Sequence, residues 1–200
     1  MQQIPSITLI QIEGTPKELS DTFLSDTQDL QVEIEIKERP NYAMLSYDWA
    51  IPTAIFLYIT KPYIETILKE AAKDHYPILK NSIANFIKRI KTTFPKKIDW
   101  NSTEDTLPFS IYSEIIEGGR MKFIFLEEPN QELYLEQVEK LLIQLQDYHL
   151  NSHNSSITKE INDKNINTIL GLFLLYDKEE NRWKVIDLKE EILKREAIEK

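Results

Sequence analysis

The chain has 200 residues, 42% of them hydrophobic, with a formal net charge of −9 and no cysteine. That length supplies one generous core, and the missing cysteine excludes disulfides, thiolate metal sites and thiol nucleophiles and fits a reducing, cytoplasmic compartment. The acidic balance argues against bulk binding to nucleic acid; neither a leader peptide nor a membrane span is expected, because the first residues carry no basic run and the most apolar segment, 49–59, falls far short of the roughly 20 residues a membrane helix needs.

In chain order, residues 6–12 read as a strand. Residues 31–37 read as a second, with Val32, Ile34 and Ile36 on one face and Glu33, Glu35 and Lys37 on the other. Between them 15–24 read as a short helix, capped by Thr15, begun by Pro16 and turning Leu19, Phe23 and Leu24 inward. The apolar lead-in 44–59 is expected to be helical too. After Pro62, residues Ile64, Ile67, Leu68, Ala71, Ala72 and His75 fall on one helix face, and after Pro77 the series repeats as Leu79, Ile83, Phe86, Ile87 and Ile90. Each proline sits in a first turn, where its missing N–H costs no hydrogen bond.

The period then changes. Segments 109–116 and 121–126 flank Gly118-Gly119, a two-residue loop suited to a type I′ hairpin, which sets Glu117 opposite Arg120, Ile116 opposite Met121 and Tyr112 opposite Phe125. Pro129 and Asn130 start a long helix with Tyr134, Val138, Leu141, Leu142, Leu145 and Tyr148 along one side. Residues 151–167 are polar and read as a mobile loop. Beyond them 170–176 and 182–186 form a second hairpin around 178–181, with Tyr176 opposite Trp183. A charged helix is expected from Asp187, whose spacing to Glu190 resembles a capping box. The pattern predicts an α+β fold, a mixed or antiparallel sheet with hairpins packed by amphipathic helices. It divides into a core domain at 1–150, a polar loop at 151–168, and a hairpin plus helix at 169–200 packed on the core.

Few side chains suggest chemistry. Of His75, His149 and His153, the last two are four apart, but Leu-Asn-Ser lies between them and no metalloprotease glutamate; no metal site and no cofactor are expected. Glycine-rich phosphate cradles and a serine elbow are absent. Two segments have the acidic-x-Lys form. One is Glu35-Ile36-Lys37, with Asp29 upstream; the other is Asp177 followed by Asp187-Leu188-Lys189. The second resembles the pattern of PD-(D/E)xK metal-dependent nucleases, which implies Asp177 and Asp187 as Mg²⁺-binding carboxylates and Lys189 as the group polarising phosphate or water. The alternative is that Asp187 only caps a helix.

Charge is the remaining anomaly. Residues 75–98 contain no acid, yet carry Lys80, Lys88, Arg89, Lys91, Lys96 and Lys97. Cations in a last helical turn complement the helix dipole, which accounts for Lys88, Arg89 and Lys91. Together with Lys96 and Lys97 they form a candidate docking patch for an acidic protein partner. Self-association stays open.

The order strand, short helix, strand, helices, hairpin, long helix over 6–149, with its hydrophobic middle, resembles the effector-associated components of bacterial conflict and defence systems. That resemblance implies a non-catalytic module coupled to a larger effector. The expected function is therefore a protein-interaction or adaptor module, with a metal-dependent nuclease as the alternative.

Overall fold

The computed structural model describes residues 6–30, 32–40, 53–67, 74–94, 106–116, 118–168 and 171–187. Seven runs rich in β-branched and aromatic residues become one mixed sheet: β1 (Ile7–Ile12), β2 (Ile34–Arg39), β3 (Ile55–Ile59), β4 (Thr106–Glu114), β5 (Arg120–Leu126), β6 (Leu172–Asp177) and β7 (Arg182–Ile186). Their order is β2-β1-β3-β4-β5-β6-β7. The pairs β1–β2, β3–β4 and β5–β6 are parallel, and β1–β3, β4–β5 and β6–β7 antiparallel. Helices fill the parallel crossovers, as the length of such connections requires: α1 (Lys17–Thr27), α2 (Lys61–Ile67) with α3 (His75–Thr93), and α4 (Leu133–Leu150) with α5 (Ser156–Asp163). The fold is α+β.

The core is an aromatic chain between the helices and the sheet. Phe23 of α1 meets Phe86 of α3 with ring centroids 4.9 Å apart, Phe86 meets Phe109 of β4 edge-on at 5.8 Å, and Phe109 meets Phe125 of β5 at 5.4 Å. Trp183 of β7 closes the series at 5.0 Å from Phe125 and 5.2 Å from Phe123. All six of these rings are fully buried, and tilted or edge-on contacts of this kind suit the aromatic quadrupole. The predicted face of α4 is buried throughout, from Tyr134 to Tyr148. The sheet's second face is buried at its centre as well, at Ser110, Tyr112, Lys122 and Ile124. There Arg39 lies over Phe56 at 5.2 Å, Phe56 meets Tyr112 at 4.7 Å, and the Lys122 ammonium stands 5.5 Å from the Tyr112 ring. The strands β3 to β5 therefore bury both sides.

Several expectations are corrected. Ile55–Ile59 is a strand, not the end of a helix: a run buried on both faces needs no alternation, and its aromatic and β-branched residues favour extension. The rest of that lead-in, 44–52, lies outside the described residues. His75 opens α3 and does not close the preceding helix, whose residues 68–73 also lie outside. Helix α1 runs three residues further than expected and lacks the Thr15 cap: its N-cap position is Pro16, which has no side-chain acceptor, and the Thr15 hydroxyl donates to the Ile12 carbonyl at 2.7 Å.

The β4–β5 hairpin keeps its strands but not its register. Glu114 pairs with Arg120, Ser113 with Met121 and Tyr112 with Lys122, an offset of three residues from the two-residue turn. The Ile115 amide donates to the Gly119 carbonyl at 3.1 Å, and Gly118 and Gly119 take the positive φ values of 96° and 107° inside a longer loop. An odd shift exchanges sheet faces. The observed register places Ile111 with Phe123 on the helix side, whereas the expected one would have set Phe125 beside Tyr112 on the other. The second hairpin has the expected register, Tyr176 opposite Trp183. Within 151–167, Ser156–Asp163 forms α5 and not loop: the Ser155 hydroxyl caps it by accepting the Thr158 amide at 3.1 Å, and Ile157 is buried.

Candidate functional site

The hairpin register separates the nuclease-like residues. Asp177 lies at the turn end of β6, opposite Arg182, while Asp187 follows Ile186 at the open end of β7. Five residues of strand lie between these levels, about 17 Å at roughly 3.4 Å per residue, too far for two carboxylates to share one ion. Asp177 also has a local task. Its carboxylate accepts the amides of Glu179 and Glu180, each at 2.9 Å, and the Lys184 ammonium at 2.7 Å. Lys184 foremost, then the Glu180 amide, hold the Asp177 carboxyl below the usual aspartate range. The turn is thus an Asx turn, locked further by the Tyr176 hydroxyl on Asn181, which takes a positive φ of 53°. Lys189 and the expected cap pairing with Glu190 lie outside the described residues.

The basic run is partly consumed by the fold. Arg89 reaches Asp26 of α1 at 3.0 Å, Lys91 reaches Glu127 at 3.6 Å and donates to the Glu128 carbonyl, and Lys80 reaches Glu139 of α4 at 3.4 Å. These side chains clamp α3 to its neighbours, and Lys88 beside them is half-buried. Lys96 and Lys97 lie outside the described residues.

The histidines are scattered. His75 opens α3, His153 is exposed beyond the end of α4, and His149 is buried on α4. The Ser113 hydroxyl donates to the Ile59 carbonyl at 3.1 Å, which leaves its lone pair to the His149 Nε2–H at 3.4 Å. Among the described residues the buried His149 Nδ1 has no hydrogen-bond partner. Burial above all, then the Lys61 charge, lowers the imidazole below its ordinary pKa. A serine whose proton is already given to a carbonyl, beside an imidazole that no acid among the described residues orients, is not set up as a nucleophile. Nearby, Tyr58 donates to Glu114 at 2.8 Å, and burial pushes its phenol up to about 12. Among the described residues no three of His, Asp and Glu converge as a metal would require. None of their helices is long and apolar enough to cross a membrane.

What the fold does set apart is its two sheet edges. On β7 the backbone groups of Trp183 and Val185 face away from β6. Gln144 of α4 accepts the Trp183 amide at 2.7 Å and donates to the Trp183 carbonyl at 2.9 Å. Glu160 of α5 accepts the Val185 amide at 2.8 Å, and Lys164 donates to the Val185 carbonyl. Arg182, paired to Glu160, holds that carboxylate in place. The edge is closed by side chains that mimic a strand, one of the ways proteins blunt exposed edges.

The β2 edge is treated differently. The Glu33 carbonyl receives the Ser6 and Ile7 amides and the Arg39 carbonyl that of Glu13, so odd-numbered residues of β2 bond inward to β1. The parallel pattern then turns the amides and carbonyls of Ile34, Ile36 and Glu38 outward. Among the described residues no group meets them. Glu35 and Lys37 stand on the same strand, 2.8 Å apart and with side chains 40% and 54% exposed; Asp29 sits exposed in the 3₁₀ turn after α1. The edge-closing residues have a faint trace in the sequence, the Glu160-to-Lys164 spacing and a glutamine on the apolar side of α4. The open edge has none, because position in a sheet is a long-range property. No protein-family model, no curated protein and no solved structure matches the chain.

Proposed function

We propose that the chain is a non-catalytic protein-interaction module of the adaptor kind, which engages its partner by strand addition to the outer edge of β2. One observation carries this reading. The same sheet has an edge closed by Gln144, Glu160 and Lys164, and an edge whose Ile34, Ile36 and Glu38 backbone groups meet nothing among the described residues. Strand addition draws affinity from main-chain hydrogen bonds and specificity from alternate side chains, here Glu35 and Lys37 on one face and Ile34, Ile36 and Glu38 on the other. The coupling role implied by the resemblance to effector-associated components is of the same class. The separation of Asp177 from Asp187 weighs against the nuclease alternative.

The test is a photoreactive residue at position 38, compared with one at position 163 on α5, cross-linked in living cells. Position 38 is expected to give a discrete product that Ile36→Pro abolishes, since this proline deletes an outward N–H and leaves the ladder to β1 intact. Equal labelling from both positions would sink the proposal. So would Mg²⁺- or Mn²⁺-dependent cleavage of DNA or RNA that disappears in Asp177→Ala, which would put the nuclease in its place.

A further inference from the structure

We infer that the strand added to β2 is β2 of a second copy of this chain, antiparallel, about a two-fold axis through Ile36. The inference rests on the edge-docking reading and names its partner. Only the even-numbered residues of β2 turn backbone groups outward, so an antiparallel copy must set even against even. The three central registers that satisfy this place the axis at residue 35, 36 or 37.

Charge separates the three. An axis at 35 sets Glu35 against Glu35 of the second copy, and an axis at 37 sets Lys37 against Lys37; like charges directly opposite are destabilising. An axis at 36 sets Glu35 against Lys37 and Lys37 against Glu35, so both of these exposed charges meet their opposites. Ile36 then meets Ile36 on the helix side. The Glu35 and Lys37 positions become non-hydrogen-bonded pairs, the closer of the two kinds, with Cα atoms about 4.5 Å apart. Their side chains already lie on one face in reach of each other, so pairing across the axis exchanges partners without moving them far. The register yields about six backbone hydrogen bonds, two at Ile36 and two at each Ile34–Glu38 pair. A two-fold contact of this kind is self-complementary and closes at two copies, and the closed β7 edge stops the sheet from growing further.

Sedimentation of the full chain over the micromolar range tests this. The parent is expected to dimerise with concentration. Glu35→Lys and Lys37→Glu each create two like-charge contacts and are expected to weaken the dimer at least about tenfold. Glu35→Lys does so although it lowers the net charge of −9 that repels the copies. The double exchange Glu35→Lys with Lys37→Glu restores both pairs and is expected to restore the parent's dimer, with the unfolding midpoints of all variants showing that each is folded. A parent that stays monomeric overturns the inference, as does a dimer unmoved by the single exchanges or not restored by the double. The identity of the position-38 cross-link separates this failure from that of the docking reading. A product with another protein rules out the second copy and leaves the β2 edge as the docking strand, whereas no edge-specific product removes both.

Discussion

Gln144 binds both backbone groups of Trp183, accepting its amide at 2.7 Å and donating to its carbonyl at 2.9 Å. One side-chain amide thus closes the ladder at Trp183, as Glu160 and Lys164 do at Val185. Trp183 in turn donates its indole N–H to the Gln137 carbonyl at 2.9 Å, so α4 grips the edge strand at two points. Gln144→Ala strands two polar groups in a buried place and is expected to destabilise the fold by about 1–3 kcal/mol, read by urea denaturation. Gln144→Glu keeps the shape but cannot donate to the carbonyl, so it should recover little of that loss. Both variants expose an edge, and faster aggregation on warming is expected of each.

Phe86 joins α1 to β4 through its contacts with Phe23 and Phe109. Removing its ring leaves a cavity between three elements that are fixed by other contacts. Phe86→Ala is expected to cost about 3–5 kcal/mol, and Phe86→Leu clearly less, because more of the volume is kept. Denaturation midpoints at constant m-value would show this; a cost under about 1 kcal/mol would mean that the site collapses.

Local patterns were legible in the sequence; long-range ones were not. The α4 face from Tyr134 to Tyr148 repeats at helical spacing, and the Tyr176–Trp183 pairing follows from a short turn, so both could be read from neighbours alone. The strand at Ile55–Ile59 leaves no such pattern, because a run buried on both faces has no period. The β4–β5 register is not legible locally, because Gly118-Gly119 fits a two-residue turn and a longer loop alike. Helix α5 is short and polar, and it is held by Glu160 and Lys164 on β7, which no local pattern reports. At the candidate sites, nearness in sequence was misleading: Asp177 and Asp187 are ten residues apart and stand at opposite ends of a hairpin, while Arg89 and Lys91 find their acids at Asp26 and Glu127.

The polar composition of 151–167 suggests early proteolysis, and α5 reverses that expectation. The buried Ser155 hydroxyl caps the helix and meets Thr158 Oγ1 at 2.8 Å, and the buried Ile157 anchors it. Limited proteolysis of the parent is therefore expected to spare 156–163. Ser155→Ala should cost about 1 kcal/mol, and combined with Ile157→Ala it should make this helix a main cleavage site. Since α5 carries the Glu160 and Lys164 contacts to Val185, the same double variant should expose the β7 edge. Cutting within 156–163 in the parent at low protease would contradict this account.

His149 makes stability depend on pH in a window of its own. Its folded pKa is lowered from 6.5, first by burial and then by Lys61, while Glu114 and Glu65 oppose the shift. Between the lowered value and 6.5 the unfolded chain binds a proton that the folded chain refuses, so stability rises with pH across that window. The contribution is complete above about 6.5 and is lost as pH falls below it. Asp177 and Glu180 also have lowered pKa values, but they act below the ordinary carboxylate range and are common to any variant at position 149. The difference in unfolding free energy between the parent and His149→Gln is therefore expected to increase from pH 5 to pH 7 and then level off. Glutamine can still donate toward Ser113 without titrating. A difference that stays flat over this range would mean that His149 has the same proton affinity in both states, and a difference that falls with rising pH would mean that the folded imidazole is the charged one.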